Sequence, residues 1–187
     1  MGPTADDRLG DAASALLGDR RLIIATNRGP VTFAAGSSGT LWINQGQSRF
    51  AAHTECDFAI DAAAEDMAPV FIDADGDGDL DLFVSSGSYE IPVNDPRLDD
   101  RLYLNDGRGR FTKAPSDSVP SDRSCAHGAV AAVDFDRDGD IDLFVGGRLV
   151  PRDWPSTPTS RLLVNQGGRF TDATPEALRS TGMVTSA

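Results

Sequence analysis

Five aspartates occupy alternating positions of Asp73-Ala74-Asp75-Gly76-Asp77-Gly78-Asp79-Leu80-Asp81, and the apolar triplet Leu82-Phe83-Val84 follows at once. The pattern returns at Asp134-Phe135-Asp136-Arg137-Asp138-Gly139-Asp140-Ile141-Asp142, followed by Leu143-Phe144-Val145, with glycine again in sixth place. Two carboxylates about 4 Å apart repel by roughly 4 kcal/mol at an effective dielectric near 20. Acids this dense therefore ask for a cation among them. Calcium takes about six to eight oxygens, carboxylate and carbonyl alike, in tolerant geometry, whereas magnesium demands a tight octahedron and keeps its waters. Neither run contains His or Cys, which disfavours zinc and copper. A solvated acidic turn is the alternative reading of the same residues.

The spacing also distinguishes two kinds of calcium loop. An EF-hand shares the first, third and fifth acids and the sixth-position glycine, but it requires a bidentate Glu in twelfth place and a helix after it. Here the twelfth residue is Val84 or Val145, and the last acid comes ninth. The apolar residues that follow are bounded by glycine and read as a strand. The side chains of Asp73, Asp75, Asp77 and Asp81, with the carbonyl of Asp79, are thus assigned to one calcium ion. Asp134, Asp136, Asp138 and Asp142, with the carbonyl of Asp140, are assigned to a second.

The elements that must position these loops recur as well. Leu41-Trp42-Ile43-Asn44-Gln45-Gly46 leads to Arg49-Phe50, Leu102-Tyr103-Leu104-Asn105-Asp106-Gly107 to Arg110-Phe111, and Leu163-Val164-Asn165-Gln166-Gly167 to Arg169-Phe170. The asparagines stand 61 and 60 residues apart, and the acidic runs 61 apart. A single period of about sixty residues points to a propeller or array. The expected fold is all-β, built of four-stranded antiparallel blades in a partial propeller or assembly of about three units. The second unit is expected to have strands at 68–72, 80–85, 101–105 and 109–112, with Asn105-Asp106-Gly107 as the hairpin turn. The third is expected to have them at 129–133, 141–146, 161–165 and 169–171. The units are drawn as a degenerate first blade without a calcium loop (1–50), a second (51–112), a third (113–171) and the start of another (172–187). In the first, Gly18 to Ala25 aligns with Gly78 to Ser85, but Arg21 stands where the ninth-position acid belongs. In the last, Gly182 to Ala187 aligns with Gly128 to Val133, so another acidic loop would come next. A propeller needs about four to eight blades, so the sequence is expected to be part of a longer array, or to complete a ring by self-association.

With 40% hydrophobic residues the 187-residue chain can bury a core. Its net charge of −12 argues against nucleic acid and anionic membrane as partners. Ten loop aspartates supply most of that excess. No apolar stretch is long enough to span a bilayer, and the N-terminal residues lack the basic and apolar regions of a signal peptide. A disulfide between Cys56 and Cys125 requires an oxidising compartment. Their unequal places in the repeat favour two free thiols.

The pattern Asp-x-Asp-x-Asp-Gly-x-x-Asp-Leu-Phe-Val, followed by the Leu-x-x-Asn-x-Gly-x-x-Arg-Phe hairpin, resembles the FG-GAP and VCBS repeats of integrin-alpha-like β-propellers. Phe144-Val145-Gly146-Gly147 looks like a weakened form of the motif that names them. The resemblance covers residues 41 to 187 and, faintly, 18 to 40. It implies an extracellular or cell-surface binding and adhesion module whose calcium ions, in the ten loop positions, are structural. A local stretch, Leu22 to Phe33, is also similar to the opening strand of trehalose-phosphate synthases, but it leads here into a propeller-type hairpin.

Beyond the metal, the segments Ser86 to Asp100 and Gly147 to Ser160 are long, proline-bearing connections, each with one large aromatic, Tyr89 or Trp154. Such loops often hold binding residues, here for a protein or glycan ligand; local packing of the aromatics is the alternative. His53 and His127 have no partner motif, and no catalytic constellation is assembled by spacing, so the chain is expected not to be an enzyme. The alternative is an accessory or catalytic propeller of a carbohydrate-active enzyme. The repeated positions Trp42, Tyr103 and Leu163, and Phe50, Phe111 and Phe170, are expected to pack the blades.

Overall fold

The computed structural model describes residues 23–26, 40–44 and 49–187. Among the described residues, eleven strands form three antiparallel sheets. The first is the three-stranded meander β1 (Ile23–Thr26), β2 (Thr40–Asn44) and β3 (Phe50–His53). The second has four strands in chain order, β4 (Asp66–Ile72), β5 (Asp81–Ser86), β6 (Arg101–Asn105) and β7 (Phe111–Lys113). The third repeats it as β8 (Ala126–Val133), β9 (Asp142–Leu149), β10 (Arg161–Asn165) and β11 (Phe170–Asp172). Up-and-down sheets of four strands are propeller blades in form. The all-β expectation is met.

Alternation along β5 explains how the sheets stack, because successive side chains of a strand point to opposite faces. Phe83 joins Ile72, Leu102, Leu143, Val145, Leu163 and Phe170 in a core between the second and third sheets. Its neighbours Leu82 and Val84 join Leu41, Phe58, Tyr103 and Phe111 in a core between the first and second. Phe58 meets Tyr103 edge-on, with centroids 4.9 Å apart. Tyr103, Leu163, Phe111 and Phe170 are all buried, as a repeated stacking position requires. The sheets also touch through backbone, since Ser85 Oγ donates to the Gly128 carbonyl at 2.8 Å.

The hairpin turn differs from expectation. Asn105 and Asn165 are the last residues of β6 and β10, paired with Phe111 and Phe170. The left-handed backbone belongs to Gly107 and Gly109 in one turn and Gly167 and Gly168 in the other. Gly109 and Arg169, expected in strands, lie in these turns. The reason is a longer loop, closed by Asp106 N donating to the Arg110 carbonyl and Gln166 N to the Arg169 carbonyl.

Two further expectations differ at the margins. The first sheet's last strand runs on to His53. At the other end, residues 182–187 form no strand. Val184 N donates to the Gly147 carbonyl at 2.8 Å, so the tail lies along the outer end of β9 without making a ladder. A short helix, α1 (Glu176–Arg179), precedes it. Arg21 and its alignment with the acidic ninth position lie outside the described residues, as does most of Leu22 to Phe33. No helix among the described residues is long and apolar enough to cross a membrane.

Candidate metal centres

Each acidic run is the connection between the first two strands of a four-stranded sheet, β4 to β5 and β8 to β9. The first coils on itself because its carboxylates accept its own amides. Asp73 accepts from Gly76 N and Gly78 N at 2.9 and 3.1 Å, Asp75 from Asp77 N, and Asp77 from Asp79 N. The second uses the same bonds from Asp138 N to Asp136 and from Asp140 N to Asp138. These short-range turns are what aspartate favours.

The ninth-position acids anchor the loops. Asp81 and Asp142 open β5 and β9 and are fully buried. Asp81 accepts from Ala74 N at 2.9 Å and Asn105 N at 2.8 Å. Asp142 accepts from Phe135 N and Asn165 N, both at 2.8 Å. One carboxylate thus clamps the loop's second residue to the neighbouring strand. The remaining lone pairs face the loop interior, where Asp73, Asp75 and Asp81 offer oxygens within 4.8 Å of one another. Asp134, Asp136 and Asp142 do the same.

Of the ten expected positions, the structure therefore brings together the first, third and ninth of each loop. Asp77 and Asp138 lie outside these close groups. The side chains of Asp79 and Asp140 turn away toward the hairpins, Asp79 lying against Gly107 and Asp140 accepting from Gly167 N. That orientation leaves the assignment of these two residues resting on their carbonyls.

The donor set fits a hard cation. Asp134 Oδ1 is buried and has no hydrogen-bond partner, an arrangement that costs stability unless something positive approaches it. Burial pushes Asp81 up to about 6, against the pull of its two backbone amides, with repulsion from Asp75 and Asp77 adding to it. Burial likewise raises Asp75 and Asp136. A bound divalent ion would reverse all three by supplying the missing positive charge.

The motif asparagines have a role that their spacing does not reveal. Asn165 is buried; its Oδ1 accepts from Gly168 N, closing the hairpin, and its Nδ2 donates at 2.8 Å to the carbonyl of Ala74. Ala74 belongs to the acidic loop of the adjacent sheet. Asn105 instead donates to Leu80 O within its own sheet. Asn165→Ala is accordingly expected to cost about 2–4 kcal/mol by orphaning buried groups, and to weaken ion binding at Asp73, Asp75 and Asp81 in another sheet. Asn105→Ala should leave the second loop's affinity unchanged. Calcium titration of the two variants checks the contrast.

Away from the loops, the structure gives His127 partners that its sequence context does not show. It is buried, with Nδ1 2.8 Å from Asp100 Oδ2 and Nε2 3.7 Å from Asp122 Oδ2. Burial by itself would lower its proton affinity, but the two carboxylates hold it well above the ordinary value. Arg161, also buried, approaches Asp100, Asp122 and Asp172 at 3.8, 4.0 and 3.5 Å. Cys125 donates to the Thr159 carbonyl, and Cys56 lies beside Gly109 O in a different sheet. Both thiols are free.

Residues 90–145, from early in the β5–β6 connection through the second acidic loop, match the family model described as FG-GAP-like repeat. The chain carries an FG-GAP-like repeat. The match includes Asp134 to Asp142, and the second acidic loop therefore lies within the FG-GAP-like region. No curated protein matches the chain.

Proposed function

We propose that this FG-GAP-like chain is a calcium-binding propeller module, with one structural ion in each acidic loop, that works outside the cell as a binding or adhesion scaffold. The observation that carries the reading is the grouping of Asp134, Asp136 and Asp142 around a buried carboxylate oxygen that lacks a partner; Asp73, Asp75 and Asp81 are grouped as closely, with the Asp73 oxygens held by Gly76 N and Gly78 N. All the donors are oxygens and the loops are irregular, which favours calcium over magnesium and over softer metals. The ion would neutralise the aspartates and hold each loop against its neighbouring strand.

The binding role is supported by the long connections. Tyr89 and Trp154 are 56% and 70% exposed, so neither is packed away locally. The Ser86–Asp100 connection is itself stiffened by the 3-10 turn Pro96–Leu98, capped by Asp95 accepting from Arg97 N. Aromatics held on rigid loops suit a glycan or protein surface.

Calorimetric titration of the chelator-stripped chain with calcium is expected to show two bound ions per chain, falling to one in Asp134→Ala. Magnesium at the same concentrations should give a weaker response. Absence of calcium uptake at millimolar ion would sink the reading.

A further inference from the structure

The third sheet carries a polar cluster that the second does not. In the second sheet, Arg101 pairs with Asp66 at 2.6 Å, Lys113 with Asp61 at 2.6 Å, and the Tyr103 hydroxyl donates to Asp61 at 2.7 Å. Each charge there has a directed partner. One period later, His127 stands where Asp66 stood, Cys125 replaces Ala64, and Asp172 replaces Lys113, while Asp122 keeps the place of Asp61 and Arg161 that of Arg101. The result is five buried atoms without a directed hydrogen bond: His127 Nδ1 and Nε2, Asp100 Oδ2, and Arg161 Nε and Nη1.

We propose that Asp122, Cys125 and His127 form a site for a divalent transition metal of the zinc class, separate from the acidic loops and without a counterpart in the second sheet. The three residues offer a carboxylate oxygen, a thiol sulfur and an imidazole nitrogen within 4.8 Å of one another. Such a mixed oxygen, sulfur and nitrogen set selects zinc-like ions and rejects calcium. His127, fully buried, supplies the independent pointer. Its Nδ1 lies 2.8 Å from Asp100 Oδ2, close enough for that carboxylate to orient the imidazole once the ring turns to meet a metal, and its Nε2 is left facing Asp122 without a hydrogen bond.

Charge and access are consistent with this use. Asp100 and Asp122 both face the imidazole, and Arg161 is the guanidinium beside them, while Asp172 is shared between Arg161 and Arg179; two carboxylates against one fixed cation make a local field that favours an added cation. On loading, the ion takes the place of protons released from imidazole and thiol, and no electron transfer is involved. Asp122 also lines an open cleft of about 490 Å³ with Ser124, Thr159 and Asp172, which gives an ion a path from solvent. Asp122 at the cleft and the buried Cys125 and His127 behind it make three protein ligands, which leaves a fourth position for water.

Cobalt(II) serves as the probe, added to the full chain with calcium in excess. Cobalt at the oxygen-only loops gives no thiolate charge-transfer absorption, whereas cobalt on Cys125 does. The expected result is a near-ultraviolet thiolate band and tetrahedral visible bands that saturate at one equivalent, are displaced by zinc, persist in Cys56→Ser and vanish in Cys125→Ser. Asp122→Asn, at the cleft edge and least disruptive to folding, should weaken cobalt binding roughly tenfold or more. Lack of the thiolate band in the folded wild-type chain overturns the proposal, as does its loss in Cys56→Ser or an unchanged affinity in Asp122→Asn.

Discussion

Asp142→Ala is expected to destabilise the metal-free chain by about 2–4 kcal/mol, because it orphans the buried Asn165 amide at about 1–3 kcal/mol and leaves the part-buried Phe135 amide with at most water at about 1 kcal/mol more. Both bonds, from Phe135 N and Asn165 N, are 2.8 Å long, and the carboxylate that receives them is fully buried. Burying a carboxylate is itself unfavourable, so the side chain is not retained for its own sake. Its value lies in satisfying the first amides of the loop and the end of β10 at one point. Asp142→Asn keeps one acceptor oxygen and turns an NH2 toward a donor, so it should lose about half as much. Urea unfolding at unchanged slope reads the difference. A loss under about 1 kcal/mol for the alanine variant would mean that the two amides find water, and that the ninth-position acid serves the ion alone.

That double duty explains what was and was not legible in the residues. The acidic loops and the strands around them follow from alternation, glycine placement and a sixty-residue period, all local signals. The stacking positions also follow, since Phe111 and Phe170 must be apolar wherever sheets are layered. Asn165 is different: its partner Ala74 is 91 residues away, and nothing in a hairpin motif says that its amide will hold the loop of another sheet. The motif asparagine reads as a turn residue because Asn accepts positive φ; burial and a cross-sheet carbonyl place it in the strand and leave the turn to the glycines.

His127 illustrates the same limit from the other side. In sequence it is a lone histidine, and the Asp122-x-x-Cys125-x-His127 spacing was its only visible signal. Its closest partner, Asp100, precedes β6 in the sheet before and is brought to it only when β8 packs against β4 and β5. Comparing units position by position would have flagged the change, since His127 falls where the second unit has Asp66. Repeats make departures from the repeat informative.

Calcium and pH are expected to act on stability in opposed ways. At calcium one hundred times the dissociation constant, each site adds about 2.7 kcal/mol, hence about 5 kcal/mol for two sites and a rise in melting temperature of about 10–20 °C for a chain of this size. Chelation should remove that increment. In the metal-free chain Asp81 sits at about 6, above the unfolded value of about 3.9. Between those values the native state holds a proton that the unfolded state has released, so this group makes the fold more stable as pH falls from about 6 to about 4. Asp75 and Asp136 are raised and act in the same direction. Asp95 and Asp172 are lowered, by Arg97 and by Thr174 with Arg161 respectively, and lose their contribution as pH falls through their folded values. The Asp81 contribution is therefore read as the difference between the wild-type chain and Asp81→Asn, both metal-free. With calcium bound the carboxylate is kept ionised, protons compete with the ion, and acidification must cost stability instead. Melting curves across pH 4–7, with and without calcium, should show slopes of opposite sign in that difference; equal slopes would place the ion away from Asp81.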